Sequence, residues 1–194
     1  MKNLVVYLVI IGSLCGCAAG LQPYPAVGGL FSDGQNLWEI RIDRGGSQLF
    51  AGLLALDLKG DALEAVLLDG TGIKLLEERV SASEGVENVA VLPAVRNKRL
   101  APFLAEGLHR VFLAGGEGGE VCRHDGLFKL CFGEESRGHL VKLKRLGPFV
   151  LWSVDYFINN YDSVDVVDRA RLASGWWSPS LNLKRSGAGP LNRD

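Results

Sequence analysis

The sequence predicts a mainly β fold: a curved antiparallel sheet, or a half-open β-barrel, covered by one amphipathic helix. Three observations carry that expectation. Residues 37–43 and 149–157 alternate apolar and polar side chains with a clean period of two. Glycine is abundant, 25 in 194 residues, and short apolar runs between Gly-containing turns suit many short strands better than a helical bundle. Only residues 100–113 carry a helical stripe. No βαβ alternation appears, which argues against a Rossmann-type enzyme.

The elements follow in order. Trp38, Ile40 and Ile42 alternate with Glu39, Arg41 and Asp43 in the first strand, which Arg44-Gly45-Gly46 ends. Residues 49–58 read as a longer apolar strand, with Lys59-Gly60-Asp61 as its hairpin turn. Residues 62–68 form the third strand. Asp69-Gly70-Thr71-Gly72 then turns the chain into a fourth, residues 73–80, whose Glu77, Glu78 and Arg79 mark an exposed end. Residues 86–92 are a weaker fifth. Strands in close succession with short turns make an antiparallel meander.

Pro102 sits near the first turn of the helix, where a missing N–H costs nothing. Leu104, Leu108, Val111 and Phe112 fall at i, i+4, i+7 and i+8, with Phe103 beside them, while Glu106 and Arg110 face away. Gly107 weakens this helix by roughly 1 kcal/mol relative to Ala. A lone amphipathic helix in a β chain must rest on something apolar. It either plugs the end of a barrel or forms a lid over a cavity.

Ala114-Gly115-Gly116-Glu117-Gly118-Gly119 is a flexible break and not a phosphate loop, since no Gly-Lys-Ser/Thr follows. Residues 120–132 read as a hairpin around His124-Asp125-Gly126. A turn centred between Gly126 and Leu127 sets Cys122 opposite Cys131, where facing Cβ atoms lie about 4.5–5.5 Å apart and suit a disulfide. A turn centred on Asp125-Gly126 sets Cys122 opposite Lys129 instead. Residues 139–145 form a strand whose Lys142, Lys144 and Arg145 read as a solvated basic face. The next strand places Trp152, Val154 and Tyr156 on one side, with Ser153 and Asp155 on the other. Residues 164–173 and 181–185 close the array, and residues 187–194 read as a flexible tail.

The start of the chain has a different character. Lys2 precedes an apolar run over residues 4–14, of the length of a secretory signal and short of the roughly 20 residues a membrane span needs. The run ends in Leu14-Cys15-Gly16-Cys17, which resembles the bacterial lipobox. That resemblance implies a signal peptide over residues 1–16 and a lipid anchor on Cys17, whose several acyl chains hold a protein stably on a membrane. Ordinary signal-peptidase cleavage near Cys17-Ala18-Ala19 is the alternative. Ala18 after the modified cysteine implies the outer membrane, with the domain facing the periplasm. Residues 17–34, with Pro23 and Pro25, read as a lipidated tether, and residues 35–186 as a single domain. Cys122 and Cys131 are then the remaining pair, disulfide candidates in an oxidising compartment.

Lys and Arg number 21 against 22 Asp and Glu, so no nucleic-acid footprint is expected. Asp162, Asp165 and Asp168 lack the Gly turn and terminal Glu of an EF-hand. His109, His124 and His139 have no ligand-like spacing, and no Gly-x-Ser-x-Gly elbow occurs. No catalytic residue, metal or cofactor is therefore expected. What remains is apolar: Trp38, Ile40, Phe103, Leu104, Leu108, Phe112, Trp152 and Tyr156 are the candidates for a ligand cavity and its lid. A curved sheet with one apolar face and one amphipathic helix can enclose acyl chains; a dry, packed core is the other reading of the same residues.

The lipobox, the meander, residues 63–76, Leu100–Leu108, Trp152-Ser153-Val154-Asp155-Tyr156 and Leu181-Asn182-Leu183-Lys184 are together similar to the LolA/LolB class of periplasmic lipoprotein carriers. They are similar too to envelope lipoproteins of that half-barrel-plus-lid fold. The resemblance implies a hydrophobic ligand or a lipoprotein acyl chain as partner. The turn at Asp69-Gly70-Thr71-Gly72 lacks the protruding Leu with which LolB inserts lipoproteins, so it implies acyl binding more than insertion. The competing expectation is a structural or assembly lipoprotein. Its sheet edge would pair with an envelope protein partner, and its core would hold no cavity.

Overall fold

The computed structural model describes residues 31, 34–59, 62–81, 85–93, 99–114, 121–161, 164–175 and 178–186. The signal segment, Cys17, most of the predicted tether and the tail lie outside the described residues. Strands β1 (Gly34–Arg44), β2 (Ser47–Lys59), β3 (Ala62–Leu68), β4 (Lys74–Ser81) and β5 (Gly85–Val91) precede the helix α1 (Leu100–Leu108). Strands β6 (Cys122–Asp125), β7 (Phe128–Ser136), β8 (His139–Leu146), β9 (Phe149–Tyr161), β10 (Val164–Ala173) and β11 (Ser180–Arg185) follow it.

All eleven strands join one antiparallel sheet in the order β5-β4-β3-β2-β1-β11-β10-β9-β8-β7-β6. The two meanders meet where β1 pairs with β11, Ile40 opposite Leu183. The sheet does not close into a barrel; β5 and β6 are its edges. The chain leaves one edge at β5, and α1 lies between that strand and the start of the second meander.

Repeated register shifts curve the sheet, at Ile42/Asp43, Leu67/Leu68, Glu77/Glu78, Lys144/Arg145 and Val167/Arg169. Each extra residue bends its strand and strengthens the local twist. Gly52 serves the same curvature. A Cβ there would lie 2.2 Å from the Leu68 carbonyl oxygen and 2.8 Å from the Phe50 ring, so the backbones approach as closely as they do only because Gly52 has none.

The concave face is the core. Period-two alternation sends Trp38, Ile40 and Ile42, Leu54 and Leu56, Leu63 and Leu67, Trp152, Val154 and Tyr156, and Leu181 and Leu183 to this one side. The same alternation overturns two expectations, and the start of β1 a third. Glu78 is not at an exposed end: it lies between Leu76 and Val80 on the buried face, 1% exposed. Lys142 is not solvated: it shares the concave face with Leu140 and is 2% exposed. Residues 31 and 34 do not belong to a tether. Gly34 opens β1, and the Phe31 ring packs edge-on against Phe112 at 4.8 Å between centroids.

The helix also differs from its predicted span. It is α-helical only to Leu108, and residues His109–Leu113 form a π-helical turn, closed by the Ala114 N–H donating to the His109 carbonyl. The stripe read at 3.6 residues per turn therefore breaks at Leu108. The reason is tertiary, because the sheet supplies partners for the carbonyls that this widened turn presents. Gly107, unfavourable for an isolated helix, lets α1 settle onto the centre of the sheet. A Cβ there would lie 3.0 Å from Leu181 Cδ2 and 3.5 Å from Leu172 Cδ2.

Candidate functional site

Of the residues predicted to line a cavity, six lie in one interlocked layer. Leu104 and Leu108 are fully buried, as are Trp38, Ile40 and Tyr156, and Phe112 packs edge-on against Trp38 at 5.9 Å. Phe31 reaches Tyr156 at 5.9 Å and Phe132 reaches it at 6.2 Å. The pocket bounded by Phe31, Trp38, Leu56 and Phe112 measures about 10 Å³, roughly the room a single water needs. Helix and sheet are in direct contact here. The Trp38 indole N–H is buried without a hydrogen bond.

Two ionisable side chains share this layer, and the sequence reading took neither for buried. The Lys142 ammonium donates to the carbonyls of Val111 at 2.9 Å and Ala114 at 3.0 Å. It lies 5.4 Å from the centre of the Tyr156 ring, whose hydroxyl donates to the same Val111 carbonyl at 2.7 Å. Those carbonyls belong to the last turn before the chain leaves the helix, where no intrahelical donor remains. Burial pushes the Lys142 pKa down to about 7 and the Tyr156 hydroxyl well above the ordinary phenol value. Glu78 is the counterpart on β4. Its two carboxylate oxygens have no hydrogen-bond partner, and burial pushes its pKa up to about 8.

The remaining two predicted residues are Trp152, which belongs to the same buried core, and Phe103, packed against it. They line an open cleft of about 440 Å³ between the outer side of α1 and the β8–β11 end of the sheet, together with Phe128, Leu151 and Pro179. Its polar members are Arg110, Lys144, Glu106, Ser174 and Ser178. Arg110 does not face away into solvent as the helical stripe suggested. Its guanidinium sits 5.6 Å from the centre of the Trp152 ring, donates to Ser174 Oγ at 2.8 Å and pairs with Glu106. The Lys144 ammonium lies 4.7 Å from the centre of the Phe128 ring. Cations held over aromatic faces interleave charge with apolar surface in this mixed wall. The cleft can thus offer an apolar body the rings of Phe103, Phe128 and Trp152, with Lys144 and the Glu106-paired Arg110 among its polar groups.

At the sheet edge, Cys122 faces Cys131 and the two are bonded, with Asp125 opposite Phe128, so the turn is Gly126-Leu127. His139 lies between Glu135 at 3.1 Å and Asp155 at 3.4 Å, stacked on Phe157. Among the described residues no group of three His, Cys, Asp or Glu side chains is arranged to hold a metal, and no helix is long and apolar enough to cross a membrane. Asp162 and the side chain of Asp165 lie outside the described part.

These features define a class, an open antiparallel half-barrel whose concave face is filled by a short helix, with a cleft on the helix's outer side. No family model matches the chain, and a search of curated proteins finds no match. Among solved structures it is similar to a DUF1329 family protein from Desulfovibrio piger, at 10% identity over 79% of this chain and 85% of that one, with a TM-score of 0.33. At that score the likeness carries no argument for fold or function.

Proposed function

We propose that this chain is a non-enzymatic lipoprotein, anchored through acylated Cys17 on the periplasmic face of the outer membrane, that binds an acyl chain or comparable hydrophobic ligand in the open cleft. The observation that carries the reading is the cleft of about 440 Å³, with aromatic walls and the cations Arg110 and Lys144. Pockets of roughly 300–1,000 Å³ with mostly apolar linings and a few placed polar groups are the usual form of small-molecule sites. The resemblance of its motifs to LolA/LolB-type carriers points the same way. A fatty acid suits such walls, its chain along Phe103 and Trp152 and its carboxylate toward Arg110.

Displacement of an anilinonaphthalene sulfonate probe by lauric acid tests this. Trp152→Ala should weaken lauric acid about tenfold, the equivalent of about 1.4 kcal/mol. Arg110→Ala should weaken lauric acid but leave lauryl alcohol unchanged. No displaceable binding to the wild type would end the ligand reading. For the anchor, Cys17→Ser should leave the protein unacylated, released to the soluble fraction or uncleaved on the inner membrane. A Cys17→Ser chain that is still processed and membrane-bound would end the lipoprotein reading.

A specific observation favours a second reading. The pocket between Phe31, Trp38, Leu56 and Phe112 on the concave face holds only about 10 Å³, and the sheet keeps two edges, at β5 and β6. An assembly lipoprotein that pairs one edge with an envelope partner needs no cavity. Displaceable probe binding separates the two, since edge pairing alone predicts none. Leu108→Asn, in the packed layer between helix and sheet, should cost roughly 2–4 kcal/mol from lost apolar burial and an unsatisfied amide under either reading.

A further inference from the structure

The exposed apolar side chains are not scattered over the surface. Antiparallel pairing places the β1–β2, β3–β4, β6–β7 and β8–β9 turns and the β10–β11 connection at one end of the sheet. Of the large apolar residues exposed among the described residues, only Leu37 and Val86 lie toward the other end. The densest group sits on two adjacent hairpins: Leu127 at the β6–β7 turn is 84% exposed, Phe149 after the β8–β9 turn is 70%, and Leu146 and Val150 flank the latter. The pairing of Lys129 with Arg145 sets these hairpins side by side. Arg123, Lys129, Lys144 and Arg145 belong to the strand ends just behind the tips. Leu151 belongs to both features, since it lines the cleft as well.

We infer that the rim made by the β6–β7 and β8–β9 hairpins docks on a bilayer surface bearing anionic headgroups, which sets the mouth of the cleft against lipid. Large apolar side chains at projecting tips are unfavourable in water and mark an interaction site. Leu127, Phe149, Leu146 and Val150 cluster at the hairpin tips rather than along the length of an edge strand, the surface that an added strand would occupy. A bilayer interface instead takes apolar side chains to a depth of about 5–10 Å, while the cations behind them meet headgroups. The reach of the chain permits this. β1 begins at the opposite end, and the 14 residue steps from Cys17 to Phe31 span at most about 45–50 Å. The 13-residue strands are roughly 40 Å long. The rim can therefore meet the membrane that holds the anchor.

The test uses the full acylated chain in phosphatidylcholine vesicles, with and without phosphatidylglycerol, so the anchor keeps every variant on the bilayer. Leu127→Cys and Phe149→Cys carry a bimane label, and Val86→Cys at the opposite end is the control. Nitroxide lipids should quench the labels at 127 and 149 at least about fivefold more strongly than the label at 86. Lys129→Glu combined with Arg145→Glu should lower that quenching about tenfold in the anionic vesicles alone. Hydrogen exchange of the unsubstituted chain should show the amides of Gly126, Leu127, Gly147 and Phe149 protected on vesicles, with no substitution to disturb folding. Labels at 127 and 149 no more quenched than the label at 86, or quenching indifferent to charge reversal, would overturn the inference. Because the readout involves no ligand, it stands or fails separately from lauric acid binding.

Discussion

Glu78 on β4 and Lys142 on β8 occupy corresponding places in the two halves of the sheet, each buried on the concave face in an otherwise apolar row. Burial pushes both toward neutrality, Glu78 up to about 8 and Lys142 down to about 7. Their partners differ. Lys142 satisfies two carbonyls at the end of the helix and lies beside the Tyr156 ring, while neither carboxylate oxygen of Glu78 has a hydrogen bond. The same desolvation therefore accompanies a pin in one half and an uncompensated cost in the other. Reading burial alone as stabilising would miss this.

The sharpest way to break the comparison is Lys142→Ala. It leaves a void and removes a donor from the Val111 and Ala114 carbonyls, and should cost about 3–5 kcal/mol in urea melts at pH 7. Lys142→Met keeps the stem and should cost only about 1–2 kcal/mol. A loss below about 1 kcal/mol for Lys142→Ala would show that the helix end does not depend on this donor.

Removing the covalent link at the β6 edge, with Cys122→Ser and Cys131→Ser together, should cost about 2–3 kcal/mol. That is the chain-entropy value for closing so short a loop, the two residues being 9 apart in sequence. Melts with and without reductant check it, and equal stabilities would show that the loop closure contributes nothing.

Glu78→Met should act in the opposite direction and raise stability by about 1–3 kcal/mol at pH 8. The folded pKa of Glu78 lies above its ordinary 4.5, so its contribution is intact below pH 4.5 and is lost as pH rises to about 8. Lys142 runs the other way. Its folded value of about 7 lies below 10.5, so stability is regained as pH climbs from about 7 to 10.5. Wild-type stability should fall between pH 4.5 and 7 and rise above pH 8. Glu78→Met should remove the fall, and Lys142→Met should remove the rise. A pH profile that is the same in wild type and both variants would overturn the assignment.

The smallest effect belongs to Gly107→Ala. In an exposed helix the change gains about 1 kcal/mol. Against Leu181 at 3.0 Å it should instead lose up to about 1 kcal/mol, read as a small fall in Tm. A rise in Tm would mean that the helix does not press on the sheet as closely as Gly107 allows.

Most of the β architecture was legible in the residues because alternation at period two depends on each strand's own chemistry. Trp38-x-Ile40-x-Ile42 and Trp152-x-Val154-x-Tyr156 read as half-buried strands and are so. The disulfide register was open between two turns, and the structure has the one that sets Cys122 opposite Cys131. The candidate site was legible only in part. The apolar list contained Phe103 and Trp152, but period alone cannot separate residues that fill a groove from residues that line a cleft beside it.

By itself, then, the sequence determined the strand segments, the lone helix and the apolar stripe that obliges this helix to lie on the sheet, since each follows from local period and turn chemistry. Tertiary structure alone decided four things: the open edges, the π turn after Leu108, the burial of Glu78 and Lys142, and the place of Arg110 over Trp152. A charged residue in a strand reads as solvated unless something covers its face. Here that cover is a helix arriving from elsewhere in the chain, and its last carbonyls are what Lys142 reaches.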